Sequence, residues 1–520
     1  MIYLFQYNPL KVLPLVILAL TATNLRAQYY NLPNEYSFSL LTEKRLAARD
    51  SATHTGIKPY IHFFSDKYVQ VSDTHRIFKY IVDDPALDVA FYKHLIRIQP
   101  HGQNFKFTLD PILNIDVGND YYDSLKTQTS TNTRGFIGCG YIGNKVYFET
   151  MFAESQSFFP QYLNGSINAT SVVPGQGRWK QFKKTGYDYA FSSGFISYQP
   201  LKNLNIQVGH GKQKIGYGYR SLLLSDNAFN YPYAKVTQQW FKGRVQYSNI
   251  YAVLMNLVGA SAVPNPNAER LFQKKASSFQ YLSINPAKFL NIGFFQGMIW
   301  EAGDSKNRQH LDWQYFNPII YTNLAQFGLN NKNNILIGGD IRFKITSKIN
   351  IYGQVMADDL SNTKKVGNGI GYQAGLNYFD VLGIKNLFLQ TEYNFVNEGS
   401  YSGPIGAITN QSYSHYNQGL TYTPGYGQEV LVMMDYKFKR MFLNARYQNQ
   451  VVPVDGAPAY ETQIVSAKLG YLVNPAYNLN VALGYTYRNQ KFSNFNTSSN
   501  QTNYIYLALR TSIYNLYYDF

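Results

Sequence analysis

Residues 209–233 read "GHGKQKIGYGYRSLLLSDNAFNYPY" and combine the side chains that best suit contact with a sugar. Tyrosine rings present flat apolar faces with a polar tip, and carboxylate, amide and guanidinium groups can form paired hydrogen bonds. A sugar ring has the complementary surface, with apolar CH faces and hydroxyl edges. The segment therefore predicts a polysaccharide-binding site at Tyr217, Tyr219, Arg220, Asp226, Asn227, Tyr231 and Tyr233.

Patterns for catalysis or metal binding are much weaker. None of the eight histidines has a partner at a metal-ligand spacing such as H-x-x-x-H, and no G-x-S-x-G nucleophile motif occurs. His210, Ser225 and Asp226 could be combined into the site of a barrel enzyme acting on lipid, but nothing in their loop spacing supports it. We predict a protein that is not an enzyme and has no cofactor or metal.

The elements that would position this segment follow a period of two, which is the pattern of β-strands. In "NILIGGDIRFKI", Ile341 and Phe343 share one parity, while Asp340 and Arg342 share the other. One face of this strand is apolar and the other is charged. Eighteen such segments can be placed from residue 104 onward, and they include 236–247, 249–257 and 503–513.

The connections between these segments alternate in length. "GN" at 143–144 and "TS" at 346–347 are tight, whereas the long connections are 157–186, 214–235, 301–333 and 397–426. Bacterial outer-membrane barrels have this asymmetry, with short periplasmic turns and long extracellular loops. The sequence therefore predicts an all-β fold, a transmembrane antiparallel β-barrel of about 18 strands within residues 104–520.

The start of the chain has the layout of a cleaved signal peptide. Lys11 precedes an apolar run at 12–20, and the small residue Ala27 stands where cleavage is expected. The run is shorter than the roughly 18 residues that a membrane-spanning helix needs. We interpret 1–27 as a signal peptide and predict export to the outer membrane of a Gram-negative bacterium.

The region 28–103 is mixed and precedes the barrel. "YSFSLLTEKRLAARD" and "PALDVAFYKHLIRI" predict helices, and "YIHFF" is a possible strand. We interpret 28–103 as an N-terminal periplasmic or plug segment.

Composition agrees with a barrel. The chain has 47 tyrosines, 34 phenylalanines and 39 glycines against 15% charged residues, and barrels concentrate aromatic side chains in two interfacial girdles. The formal net charge is +16, with cations scattered along the chain. Because an exported protein does not meet genomes, an anionic surface partner, either acidic polysaccharide or lipopolysaccharide, explains the charge better than nucleic acid. The single cysteine, Cys139, excludes an intramolecular disulfide.

Charged residues of both signs occupy the parity that would face the lumen. They are Asp340, Arg342, Lys344, Glu392, Asp435, Lys437, Arg446, Arg488 and Arg510. One interpretation is a neutralising lattice that fixes the interior. The other is a selectivity ring, in which the excess of arginine would favour anions. The second interpretation corresponds to a diffusion porin or transporter for small anionic or sugar solutes.

The end of the chain, "YIYLALRTSIYNLYYDF", alternates as a closing strand should. Its last residue, Phe520, is similar to the C-terminal aromatic through which assembly machinery reads many outer-membrane barrels. We therefore predict contact with the barrel assembly machinery through a C-terminal strand ending at Phe520.

The segment 209–233 also carries a family resemblance. Together with "TRGFIGCGYIGNKVYFETMFAESQ" before it and "DWQYFNPIIYTN" and "NNILIGGDIRF" after it, it resembles the Wzi-like capsule-assembly family, in the branch of gliding bacteria that includes RemB. The matching block comprises Ser221, Leu222, Leu224, Ser225, Asn227, Ala228 and Pro232. The resemblance implies an eighteen-stranded outer-membrane barrel that binds capsular polysaccharide and supports gliding. A second interpretation of the segment, a constriction loop packed inside the barrel and anchored by "SLLLS", stays open.

Overall fold

Eighteen long strands with alternating side chains form a closed antiparallel barrel, which confirms the predicted fold and strand number. The protein is described by a computed structural model at residues 35–47, 53–60, 85–123, 128–259, 272–302, 313–327, 333–358, 369–403, 411–422, 425–454, 457–492 and 500–520. The predicted signal peptide and all of "YIHFF" except Tyr60 lie outside these residues. Within them, no helix is both long and apolar enough to cross a membrane.

Each strand pairs with its neighbours in the sequence, and the last pairs with the first, with Arg510 opposite Asn114. The barrel strands are β1 Phe105–Asp120, β2 Gln128–Ile142, β3 Val146–Phe158, β4 Gly186–Leu201, β5 Leu204–Gly211, β6 Tyr231–Trp240, β7 Val245–Gly259, β8 Phe272–Ala287, β9 Leu290–Glu301, β10 Asn334–Lys344, β11 Ile349–Asp358, β12 Gly369–Phe379, β13 Leu387–Val396, β14 Gly427–Phe438, β15 Met441–Val454, β16 Ala457–Asn474, β17 Leu479–Phe492 and β18 Asn500–Thr511.

The side chains of β10 illustrate how the alternation works. Asp340 and Arg342 point into the barrel and are buried, whereas Ile341 is 47% exposed and Phe343 is 38% exposed on the outer wall. Successive side chains of a strand point to opposite faces, so an apolar outer band and a polar interior follow from one pattern.

Short turns close one end of the barrel, which we call the short-turn end. The turns 143–145 and 202–203 lie there, while 159–185 and 397–426 lie at the opposite, long-loop end. The predicted asymmetry of the connections is therefore present.

The predicted boundary between the sixth and seventh strands is wrong. We expected strands at 236–247 and 249–257, but β6 ends at Trp240 and β7 begins at Val245. Phe241, Lys242 and Gly243 have φ angles of 53°, 57° and 80°, and these left-handed residues reverse the chain. Phe241 and Lys242 are not residue types that usually adopt left-handed φ angles, so they gave no turn signal in the sequence.

In the described part of the chain, four helices are separate from the strands of the wall: α1 Tyr36–Ala47, α2 Pro85–Phe91, α3 Gln161–Thr170 and α4 Thr322–Phe327. The first two fall within the predicted helical segments, but Ile96–Ile98, at the end of the second predicted segment, is a short strand that pairs with β1. Lys44 of α1 donates to Asp380 at 2.7 Å, so α1 lies against the short-turn end. The two-residue strand Ile57–Lys58 pairs with Lys214–Ile215 and thus reaches deeper into the interior.

The prediction that the closing strand runs to Phe520 is wrong. Strand β18 ends at Thr511, and residues 512–520, which we call the tail, turn back into the lumen. Tyr517 and Asp519 are 4% and 1% exposed, and the Arg488 Nε donates to the Phe520 carbonyl oxygen at 2.9 Å. The tail can leave the wall because β18 completes its pairing with β1 before residue 512.

Candidate functional site

The segment singled out in the sequence lies inside the barrel. Strand β5 ends at Gly211 and β6 begins at Tyr231, so the connection is 212–230 rather than the predicted 214–235. Every residue of this connection, which we call the lumen plug, is buried. The structure agrees with the interpretation of a constriction loop packed inside the barrel. An extracellular position of this segment is wrong.

Three leucines anchor the plug. Leu222, Leu223 and Leu224 are fully buried and pack in one cluster with Phe279 and Phe295 of the wall. Burying a leucine side chain contributes roughly 1.5–3 kcal/mol. The "SLLLS" motif is therefore a small apolar core set within an otherwise polar lumen.

Wall side chains satisfy the backbone of the plug, which has almost no regular secondary structure of its own. The Leu222 N–H donates to Gln354 Oε1 at 2.8 Å. The N–H groups of Tyr219 and Arg220 donate to the two oxygens of Glu392 at 2.8 and 3.1 Å. Because buried backbone groups need partners, these contacts fix the path of the plug.

Two glycines permit this close approach. Gly216 has a φ of 130°, a conformation that other residues rarely adopt, and a Cβ there would collide with Gln354. A Cβ at Gly218 would collide with Glu392. The glycines that first suggested a binding loop instead let the plug backbone touch the wall.

Arg220 is the charged centre of the plug and is fully buried. Its Nη2 lies 3.0 Å from Glu429 of β14 and 3.2 Å from Asp519 of the tail. Asp519 also pairs with Arg446 at 3.1 Å. Burial alone would lower the pKa of the Arg220 guanidinium, but Asp519 and Glu429 reverse this and hold that pKa above its usual range.

The predicted sugar-binding tyrosines also have partners inside the protein. Tyr217 donates to Asn291, and the Arg342 guanidinium lies 4.8 Å from the Tyr217 ring centroid. Tyr219 donates to Asp519 at 2.9 Å. Each of these two tyrosines is 5% exposed, so neither ring offers a free face.

The remaining predicted binding residues are equally enclosed. Tyr231 and Tyr233 belong to the inward face of β6 rather than to a loop, and both are buried. Asp226 accepts from Tyr517 at 2.7 Å, and the Asn227 amide donates to the Thr421 carbonyl oxygen at 2.5 Å. The binding of polysaccharide by these residues stays a prediction.

The predicted lumen residues contact elements of the interior. Arg342 donates to Thr55 at 2.5 Å, and Lys344 donates to the Leu46 carbonyl oxygen of α1 at 3.3 Å. Other contacts of this set join Asp340 with Tyr281, Glu392 with the plug, Arg446 with Asp519, Arg488 with Phe520 and Arg510 with Asp116. Arg342, Lys344, Glu392, Arg446 and Arg488 thus hold inserted segments, whereas Asp340 and Arg510 bind neighbouring parts of the wall.

A cavity of about 290 Å³, which we call the chamber, remains beside the plug along β14–β18 and β1. Among the residues that line it, Arg446 Nε, Arg510 Nε, Asn114 Oδ1 and Asn444 Oδ1 are buried and have no hydrogen-bond partner within the described part of the chain. Donors and acceptors of this kind suit water or a hydroxyl-bearing solute. Nowhere in the described ranges do three or more histidine, cysteine, aspartate or glutamate side chains form a group that could hold a metal.

Sequence reasoning missed a second candidate, the run "RWKQFKK" at 178–184, which we call the basic hairpin. Trp179–Phe182 forms a short strand that pairs with residues 186–189 at the start of β4. Arg178, Lys180, Lys183 and Lys184 are exposed. Four cations within seven residues were visible in the sequence, but only the fold places them at the long-loop end.

Comparisons with known proteins address the fold. The chain is similar to the solved structure of Wzi from Escherichia coli, with a TM-score of 0.56 and 12% identity over 94% of this chain and 100% of that one. Wzi is described as an outer-membrane protein involved in group 1 capsule assembly and as a carbohydrate-binding β-barrel. The two chains share a fold.

Porin-like structures match less well. Pseudomonas aeruginosa OpdO has a TM-score of 0.46 and 11% identity over 78% of this chain and 96% of its own. Acinetobacter baumannii OccAB2 has a TM-score of 0.45 and 11% identity over 78% of this chain and 97% of its own. No family model and no curated protein matches the sequence.

Two buried lysines make the stability of the plug depend on pH. Burial lowers the pKa of Lys212 and of Lys214 to about 8, against roughly 10.4 in an unfolded chain. Between these two pKa values the unfolded chain binds more protons than the folded chain does, so the free energy of unfolding rises with pH. Below about pH 8 both lysines are charged in the folded protein, and burying their charges then lowers the stability by its full amount. We expect the thermal midpoint to rise from pH 8 to about 10, and to rise less in Lys212→Met/Lys214→Met.

The matched control for this pair is Lys202→Met/Lys348→Met, because both of those lysines are exposed at the short-turn end. Thermal scans of the three purified proteins across the pH range provide the comparison. The same pH slope in all three would contradict the assignment to the plug.

Removing the charged centre should destabilise the whole assembly. Arg220→Met leaves Glu429 and Asp519 without their shared buried partner, and breaking such a pair costs roughly 3–5 kcal/mol. We expect a clear fall in the unfolding midpoint in urea. Arg97→Met serves as the control, because exposed Arg97 bonds only to Gln99 among the described contacts. A fall no larger than that of the control would show that Arg220 does not hold the plug.

Proposed function

We propose that this protein is a non-enzymatic outer-membrane barrel that binds or organises polysaccharide at the cell surface. The observation that supports this most is the filled lumen. The plug, α1 and the tail each hydrogen-bond to inward side chains of the wall or to one another. A diffusion porin needs an open aqueous path, and these segments obstruct it.

In this proposal the short-turn end faces the periplasm and the long-loop end faces outward, as is usual for such barrels. Residues 1–27 direct export, and 28–103 complete the plug from the periplasmic side. The surroundings are lipid and lipopolysaccharide, and assembly in the membrane uses the barrel assembly machinery. The resemblance to Wzi, described as carbohydrate-binding, supports the choice of ligand. Support for gliding motility rests on the sequence resemblance alone.

The seven residues first predicted to bind sugar have a different part in this proposal. Because Tyr217, Tyr219 and Arg220 are hydrogen-bonded within the barrel, they set the shape and stability of the plug. Polysaccharide then contacts the loops at the long-loop end, which the plug supports from below through Lys212, whose ammonium donates to the Gly175 carbonyl oxygen at 2.7 Å.

The alternative function, passage of small anionic or sugar solutes, has one observation in its favour. The chamber extends from Ser37 near the short-turn end to Phe158 near the long-loop end, and Arg446 and Arg510 line it. If this cavity opened at both ends, solutes could pass beside the plug.

Cells provide the direct test of polysaccharide binding. We expect a strain that lacks this protein to release surface polysaccharide into the medium and a strain expressing the wild type to retain it, because the barrel is the proposed anchor. Polysaccharide is measured in the cell pellet and in the supernatant. Equal retention by the two strains, with equal total synthesis, would count decisively against the proposed function.

Conductance in planar bilayers separates the two functions. We expect little steady current from the wild type and large steady openings when residues 213–229 are replaced by a short glycine-serine linker, because the plug then no longer fills the lumen. Ser466→Trp, on the inward face of β16, places a bulky side chain in the chamber and leaves the plug sequence unchanged. Steady wild-type current that Ser466→Trp abolishes would favour the porin.

A further inference from the structure

The basic hairpin is a rigid part of the long-loop end. The Trp179 indole donates to the Ile167 carbonyl oxygen of α3 at 3.3 Å, and its ring meets Tyr187 edge to face at 4.8 Å. The helix α3 in turn packs with Tyr518 and Phe520 of the tail. The hairpin is thus fixed to the same interior that the plug occupies.

The hairpin also covers a strand edge. Strand β4 pairs with β5 only from Gly194 onward, and the start of β4 extends beyond this pairing. Residues 179–182 pair with 186–189 along that edge. An exposed edge would otherwise offer free backbone groups, so the hairpin has a structural reason to be ordered.

Its cations have no acidic partner among the residues that the structure describes. Arg178, Lys180, Lys183 and Lys184 are exposed, and none forms an ion pair there. Asp188 stands opposite Lys180 in the strand register, but no ion pair joins these two described residues. The hairpin therefore presents a concentrated positive surface that the protein itself does not neutralise.

An aromatic ring lies between the cations on the outer face of the hairpin. Phe182 is half-buried, and the Lys183 ammonium lies 5.2 Å from the Phe182 ring centroid. Half-exposed rings beside ammonium groups suit sugar rings that carry acidic substituents, because CH faces pack on the rings while carboxylates meet the cations.

The height of the hairpin separates polysaccharide from lipid as its partner. On β3 the last strongly exposed apolar side chain below the rim is Phe152, and above it the outer face carries Glu154 and Gln156. Phe158 follows on the same face but is half-buried, with its ring centroid 5.8 Å from that of Phe182 of the hairpin. Gln156 lies opposite Asp188, which lies opposite Lys180. Four residues of tilted strand raise Lys180 about 10 Å above Phe152, beyond a headgroup layer roughly 5–8 Å thick.

We infer that the basic hairpin is the docking surface for an anionic polysaccharide, one whose sugars carry carboxylates at regular intervals. This inference rests on the proposed function and specifies its ligand class and its site. Lys180, Lys183 and Lys184 attract the chain, and Phe182, which shares the outer face of the short strand with Lys180, supports its sugar faces. Attraction between exposed charges is weak singly and is screened by salt, so binding depends on several cations acting together.

The test uses the full-length protein in detergent, with polygalacturonate as the probe. We expect Lys180→Gln/Lys183→Gln/Lys184→Gln to weaken binding at least tenfold and to reduce its salt dependence. The control Lys202→Gln/Lys288→Gln/Lys348→Gln removes the same charge from exposed positions at the short-turn end, and it should bind within twofold of the wild type. Unfolding temperatures of all three proteins verify that each is folded.

Each remaining outcome has a definite meaning. If both triple variants weaken polygalacturonate binding equally, net charge alone explains the binding and the inference is overturned. If the hairpin variant binds as tightly as the wild type, the binding site lies elsewhere. If the hairpin variant loses binding to lipid A micelles but keeps its binding to polygalacturonate, the hairpin is a lipid-binding surface. If the wild type binds no polysaccharide, neither polygalacturonate nor material from its own cell surface, then the proposed function itself fails. If the wild type and the hairpin variant bind the polysaccharide of their own cell surface equally well, the hairpin is rejected as the site but the proposed function stands.

Discussion

The buried guanidinium of Arg220 joins the parts on which the rest of the interior depends. It links the plug to β14 through Glu429 and to the tail through Asp519, and Asp519 continues the link to Arg446 of β15. A buried charge is tolerated only when paired and hydrogen-bonded. Because this pairing draws on four separate segments, none of them can move far without exposing or isolating a charge in the lumen.

The closed barrel explains why the interior needs such a solution. A barrel of eighteen strands encloses more space than its inward side chains fill, and that space must hold water or protein. Here the plug brings an apolar centre, Leu222–Leu224, into a polar surround and satisfies its backbone with wall groups such as Gln354 and Glu392. The chamber is what remains, and its unpartnered arginine and asparagine atoms mark where the filling is incomplete.

Local pattern predicted the wall and little of what lies inside it. Period-two alternation predicted eighteen strands and the inward parity of Asp340 and Arg342, since strand geometry depends on adjacent residues. It missed the turn at Phe241, because left-handed φ angles at Phe241 and Lys242 leave no mark in the residue types. The position of the plug depends on Gln354 and Glu392, more than 130 positions away from the groups that they bind. Glycines and tyrosines occur equally in an exposed binding loop and in a packed one, so composition left the choice open.

The same reasoning explains why recognition is better placed on the hairpin than on the plug. Exposing Tyr219 or Arg220 to a sugar would mean breaking the contacts with Glu392, Glu429 and Asp519, and a single sugar contact cannot replace a buried ion pair and its hydrogen bonds. The cations at 178–184 have no such contacts to lose. They keep their water until a ligand arrives, and their backbone is already held by pairing with β4. The packed interior and the exposed basic hairpin are therefore complementary, because the interior holds in place the surface that the hairpin presents.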